Sequence, residues 1–145
     1  MIDWYKKVVF DNYANFNGRA RRSEFWYFTL VKFILTIVSI IPFIILTVIF
    51  RDEKFASVFM IVYFCFIILF EIIMLLPTLA VSTRRLHDTG HSGWLQLISF
   101  IPGGGIVLLV FYFMDSVPFD NKWGSNPKKI ADTITEIGQP EIEKY

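Results

Sequence analysis

FWYFTLVKFILTIVSIIPFIILTVIF at residues 25–50, RDEK at 51–54 and FASVFMIVYFCFIILFEIIMLLPTLAV at 55–81 form the stretch on which the fold turns. Each apolar run exceeds the roughly 20 residues that a helix needs to cross a bilayer. A link of four charged residues leaves room only for a tight connection, so the two helices are expected to be antiparallel neighbours. The runs are continuously apolar instead of alternating, which excludes a closed β-barrel and leaves the α-helix as the spanning structure.

Outward from this hairpin, WLQLISFIPGGGIVLLVFYFM at residues 94–114 is a third apolar run, interrupted at its centre by Pro102, Gly103, Gly104 and Gly105. The expectation is a kinked full span, since glycine and proline are common in membrane helices. The alternative is a re-entrant hairpin that reverses at the glycines, because non-helical backbone at membrane depth is tolerated where protein or water covers it. Ahead of the first span, Ile2, Tyr5, Val9, Asn12, Tyr13 and Phe16 recur at helical spacing, with Lys6, Lys7 and Asp11 elsewhere around the wheel. This reads as an N-terminal amphipathic helix lying at the membrane interface.

Composition agrees with lipid as the solvent. The chain of 145 residues is 54% hydrophobic and 18% aromatic, with a mean hydropathy of +0.52, more apolar surface than a small water-soluble domain can cover. The formal net charge is only +1, which argues against a polyanion binder, and no nucleic-acid partner is expected. Cys65 stands alone within an apolar run, so no intrachain disulfide can form, and it reads as an inert small side chain. No cleavable signal peptide is expected, because the first apolar run starts near Phe25 and lacks a small-residue cleavage site. One membrane domain over residues 1–127 and a polar tail over 128–145 are expected; after the third span, where Ile130, Ile134, Ile137 and Ile142 stand among acids, an ordered turn or a short helix and then a mobile end are expected.

Basic residues set the orientation. Lys6, Lys7, Arg19, Arg21 and Arg22 precede the first span while Arg51 and Lys54 follow it, so the amino terminus is expected in the cytoplasm, with Arg84 and Arg85 returning there. With three full spans, Lys122, Lys128 and Lys129 fall outside, giving seven basic residues inside against five outside. With a re-entrant third segment the balance becomes ten against two.

Glu71 lies past the centre of the second span, where an ionisable group costs roughly 2.5–3.5 kcal/mol. Its expected role is structural, a neutral acid bonded to a neighbouring helix; a proton or cation relay is the functional alternative. Lys32 is expected to snorkel toward the interface. Arg84, Arg85, His87 and Asp88 form the densest chemical cluster, two guanidinium groups suited to phosphate beside an imidazole and a carboxylate. The plain reading is a loop anchored in anionic headgroups, with Asp88 pairing to the arginines. His87 and His91 have the spacing of two metal ligands on one helical face, but Gly90 and Gly93 weaken a helix there and no third ligand is evident, so no metal and no cofactor is expected. An acid and base pair acting on a lipid phosphate lacks an accompanying nucleophile.

Three separated stretches carry a resemblance: FNGRARRSEFW at 16–26, RRLHDTGHSGW at 84–94 and NKWGSNPK at 121–128. In order, spacing and placement relative to the apolar runs they resemble the domain-of-unknown-function 805 family of small bacterial inner-membrane proteins. Leu95, where a second tryptophan is frequent, is a small departure. The resemblance implies an inner-membrane location and supplies no catalytic residues. It implies too that the three motifs belong to one shared feature, and the expectation is that they converge at one membrane face, with Arg19, Arg22, Arg84 or Arg85 pairing to Glu24 or Asp88.

The sequence therefore predicts an all-α membrane protein, a bundle of three apolar segments with an interfacial N-terminal helix. Its expected role is structural, accessory or lipid-interacting, with membrane lipids and anionic headgroups as partners, and a second copy or another membrane protein as a further one. A small transporter or channel subunit using Glu71, and a lipid-modifying enzyme centred on His87 and Asp88, are the alternatives.

Overall fold

The computed structural model describes residues 1–50 and 53–129. Its main elements among the described residues are four α-helices, a π-helical turn and one 3-10 helix. Helix α1 (Ile2–Lys6) runs directly into a π-helical turn (Lys7–Asp11), and α2 (Arg22–Phe50) and α3 (Glu53–Asp88) are the long elements. A 3-10 helix (Gly93–Phe100) and α4 (Gly104–Phe113) follow, and the described chain runs on to residue 129. The expected short helix and mobile end around Ile130, Ile134, Ile137 and Ile142 lie outside the described residues.

Helices α2 and α3 are the antiparallel hairpin expected from the two long apolar runs. Phe43 stacks on Tyr63 with ring centroids 5.0 Å apart, Lys32 pairs with Glu71 at 2.7 Å, and Glu24 with Arg84 at 2.5 Å. Partner numbers rise as the α2 numbers fall, which fixes the direction. Both helices are long and apolar enough to cross a membrane, and almost none of their apolar stretch is covered by protein. Phe33, Ile49 and Phe64 are all more than 60% exposed, a surface that only lipid makes favourable. Polar side chains within the runs turn back onto their own helices, as Thr36 does to the Lys32 carbonyl and Thr78 to that of Met74. Both α2 and α3 stay helical through Pro42 and Pro77.

The third apolar segment departs from the expected kinked span. It breaks into the 3-10 helix and α4, joined at Gly103, whose φ of +83° a side-chain-bearing residue rarely adopts. Both ends of the segment lie beside the last turns of α3. Gln96 near its start donates to the Thr83 hydroxyl, and the Tyr112 and Met114 carbonyls at its end accept from Arg85. Gly104 makes this closure sterically feasible, since a Cβ there would overlap the Ile98 carbonyl of the 3-10 helix. The chain thus goes out and returns to the same end of the hairpin.

The N-terminal helix forms but ends at Asp11, short of the expected Phe16. Asn12 donates its side-chain amide to the Lys7 carbonyl and accepts from Asn15, an asparagine-built turn that competes with further helix. Val8 is wholly buried in a small core with Ala20, Phe25, Phe28 and Val81. Tyr5 stacks on Phe28, and the Tyr13 hydroxyl reaches the Ile73 carbonyl at 2.5 Å. The protein's apolar core therefore sits at the end of the hairpin where the three polar motifs meet.

Candidate functional site

The C-terminus of α3 is closed by a Schellman arrangement that follows from His87-Asp88-Thr89-Gly90-His91. The His91 N–H donates to the Leu86 carbonyl at 2.9 Å and that of Gly90 to the His87 carbonyl at 3.1 Å, with Gly90 left-handed at φ +82°. This stop holds Arg84, Arg85, His87 and Asp88 on the final turn of a rigid helix. All four are buried, as is Glu24 in the first turn of α2.

Asp88 is the hub of the first network. Its Oδ1 accepts from Arg19 Nε at 3.0 Å, and its Oδ2 accepts from Arg85 Nη1 and from the Ser116 hydroxyl, each at 2.5 Å. The carboxylate lies at the negative end of α3, where the helix dipole disfavours it, and two buried guanidinium groups offset that penalty. Each arginine spends its remaining donors on backbone. Arg19 reaches the Val117 carbonyl at 2.7 Å and that of Phe119 at 2.9 Å. Arg85 takes the Tyr112 and Met114 carbonyls, which the end of α4 leaves without helical partners. The Val117 N–H returns to the Asp88 carbonyl at 2.9 Å.

A second network joins α1, α2 and α3. Glu24 Oε1 accepts from Arg84 Nη1 at 2.5 Å and Oε2 from Lys7 Nζ at 2.9 Å. Arg84 Nε and Nη2 are buried with no hydrogen-bond partner, as is Trp26 Nε1.

The third motif docks through a tight turn closed by reciprocal backbone bonds between Asn121 and Gly124. The Asn121 amide donates to the His87 carbonyl at 2.9 Å. Trp123 stacks on the His87 ring at 4.3 Å, and Lys122 Nζ lies 4.3 Å from the centroid of the same indole. His87 Nδ1 lies 3.2 Å from the Gly18 carbonyl; a carbonyl only accepts, so Nδ1 carries the proton. That carbonyl is aimed by Gly18 at φ +86°. A cavity of about 490 Å³ opens beside this stack, between it, the end of α3 and the 3-10 helix.

Arg19, Glu24, Arg84, Arg85, His87 and Asp88 thus come together in one layer. Arg22 takes neither expected acid; it lies 3.7 Å from Asp115, with both side chains substantially exposed. His87 and Asp88 share no hydrogen bond and serve different partners. His91 lies beyond the end of α3, its Nδ1 3.2 Å from the Thr89 hydroxyl, and no group of three or more metal-ligating side chains exists among the described residues. Glu71 meets Lys32 of the neighbouring α2 at 2.7 Å, a partner the sequence had not named for it.

Sequence reasoning missed that pair, although the signal was present: Lys32 and Glu71 stand about twenty residues on either side of the 51–52 connection, so folding the hairpin about it makes them neighbours. It missed as well Lys7, Asp115 and Ser116 as partners. No local pattern marks these, since each depends on a contact between distant segments.

Residues 13–125 match the family model described as a protein of unknown function, DUF805. Two Escherichia coli K12 relatives are similar along nearly their whole length. Inner membrane protein YhaI is 37% identical over 128 residues, covering 88% of this chain and 97% of the relative. Inner membrane protein YhaH is likewise 37% identical over 128 residues, covering 88% of this chain and 98% of the relative. No solved structure matches the chain.

Proposed function

This chain belongs to the DUF805 family, and on that footing we propose that it is a non-enzymatic accessory protein of the bacterial inner membrane that presents a preorganised polar face to cytoplasmic headgroups. In this reading α2 and α3 cross the bilayer from a cytoplasmic amino terminus, and the third segment enters and returns. Two observations support that placement. Both ends of the third segment lie beside the last turns of α3, and a returning segment gives the ten-to-two distribution of basic residues that the positive-inside rule favours.

The observation that carries the non-catalytic part is the saturation of Asp88. Its oxygens receive three donors from Arg19, Arg85 and Ser116, all from within the protein, which suits a fastener and not a proton-transfer group. Arg22, Lys122 and Lys128 stand outside the buried layer and supply positive charge for anionic headgroups, worth about 1 kcal/mol each near a membrane surface.

Paired cytoplasmic and periplasmic reporters fused to each terminus test the reading. Both termini should report cytoplasmic. A periplasmic carboxyl terminus would sink the single-face arrangement. Turnover of labelled phospholipid by the purified protein, lost in His87→Ala, would replace it with a lipid-modifying enzyme, and solute flux lost in Glu71→Gln with a transporter.

A further inference from the structure

The cavity beside the third motif takes no part in the buried ion-pair networks. One wall is apolar, formed by Leu79 of α3 and Leu97 of the 3-10 helix, with Trp94 and Phe16 also lining the cavity. Leu79 and Leu97 are also 39% and 55% exposed, so this wall continues without a break onto the lipid-facing surface of the protein. The polar rim combines exposed Lys122 with the edge of buried His87, and no acidic side chain lines the cavity.

That rim is held in place before any ligand arrives. Trp123 is fixed from one side by stacking on His87 and along its backbone by the 3.0 Å bond from its N–H to Asn121 Oδ1. Lys122 lies over the same indole, which orients the ammonium group without neutralising it. His87 has its protonated Nδ1 directed at Gly18, so in the neutral imidazole Nε2 is the acceptor. The lining therefore offers the Lys122 ammonium and the His87 acceptor, with Asn17, Ser92 and Gln96 as further polar groups, beside an apolar wall.

A ligand complementary to this surface carries an anionic group, a hydrogen-bond donor a few atoms away and a hydrocarbon portion. A phosphodiester with a hydroxylated headgroup and acyl chains has all three. We propose that the cavity binds one phosphatidylglycerol-type phospholipid drawn from the bilayer. Its phosphate pairs with Lys122, a headgroup hydroxyl donates to His87 Nε2, and the glycerol esters and first methylenes lie against Leu79 and Leu97. Phosphatidylcholine meets the rim poorly, because its trimethylammonium group has no N–H or O–H to donate. At about 490 Å³ the cavity takes the headgroup and ester region, leaving the chains along the outer faces of α3 and the 3-10 helix. This inference rests on the functional reading above only in placing the motif face at the headgroup zone.

The test is native mass spectrometry of the full chain in detergent, titrated with phosphatidylglycerol, phosphatidylcholine or deacylated glycerophosphoglycerol. One phosphatidylglycerol should be retained, with phosphatidylcholine and the deacylated headgroup each bound about tenfold more weakly or worse, the scale of one charge-assisted contact. Lys122→Glu should reduce phosphatidylglycerol binding by about tenfold, while Lys6→Glu, the same charge change on exposed α1, leaves it unaltered. Lys122 is exposed, so its replacement does not threaten folding, and an unchanged unfolding midpoint checks this. Equal binding of the two phospholipids, or equal effects of Lys122→Glu and Lys6→Glu, overturns the site. Equal binding of the deacylated headgroup overturns the lipid as its source in favour of a soluble phosphodiester. The terminal reporters read the functional proposal separately: cytoplasmic termini with lipid binding indifferent to Lys122 would sink this site alone.

Discussion

Arg19, in the segment before α2, and Asp88, the last residue of α3, are joined by a 3.0 Å ion pair in which both side chains are essentially inaccessible. The pair links the first polar motif to the second, and Arg19 continues to the Val117 and Phe119 carbonyls ahead of the third. Asp88→Asn keeps the shape and removes the charge. It should cost roughly 3–5 kcal/mol, because Arg19 and Arg85 then remain buried without a counter-charge. Unfolding of the purified protein in detergent measures this; a cost below that of an ordinary surface substitution would remove Asp88 from the hub.

The two cations on Glu24 should differ. Lys7 is about half exposed whereas Arg84 is buried. Lys7→Ala should cost no more than about 1 kcal/mol, and Arg84→Ala several times that, because it strands the Glu24 carboxylate. Unfolding midpoints of the two variants side by side decide the order.

The hairpin of the third segment makes opposite demands on adjacent glycines. Gly104→Ala places a methyl group into the Ile98 carbonyl, whereas a Cβ on Gly105 meets nothing within 4 Å. The first should destabilise by about 1–3 kcal/mol, and the second should be neutral or stabilise by up to about 1 kcal/mol through helix propensity. Equal effects in thermal unfolding would mean that the 3-10 helix and α4 do not pack here.

For Lys32 and Glu71, each single apolar replacement leaves one charge without its partner within the apolar hairpin. Lys32→Met with Glu71→Leu should be more stable than either single variant, with a coupling of about 1–3 kcal/mol in a double-mutant cycle. Additive losses would show that the two groups are solvated independently.

Asp115 gives a small pH signature. Donation from Lys128, then from the Ser116 N–H, lowers its pKa below the usual 3.8. A lowered acid stabilises the fold above its unfolded pKa, and that contribution disappears as pH falls through the folded value. The unfolding midpoint of Asp115→Asn should lie slightly below that of the parent near neutral pH, and the two should converge in strong acid. The side chain is largely exposed, so the difference is modest.

Apolar length made the α2–α3 hairpin legible, because no other structure satisfies two such runs in lipid. The grouping of Arg19, Glu24, Arg84, Arg85 and Asp88 was legible as well, through motif chemistry and resemblance. Illegible were the features decided by distant contacts. Whether the glycines at 103–105 kink a span or reverse it depends on Ile98 meeting Gly104 and on Arg85 gripping the end of α4. The partner of Arg22 depends on where that return places Asp115. The early stop of the N-terminal helix was in principle readable from Asn12 and Asn15, whose side chains offer the backbone an alternative to the helix, the Asn15 amide oxygen accepting the Asn17 N–H.

The returning third segment gives the molecule two different widths. The ten residues of α4 extend about 15 Å, half of the roughly 30 Å hydrocarbon thickness. Among the described residues, α2 and α3 share their cross-section at one end with the 3-10 helix, α4 and the N-terminal helical turn that buries Val8, while at the other no described element packs beside them. If α2 and α3 span as proposed, the described part of the protein takes up more lateral area in one leaflet than in the other, and its insertion energy would then depend on lipid shape and packing stress.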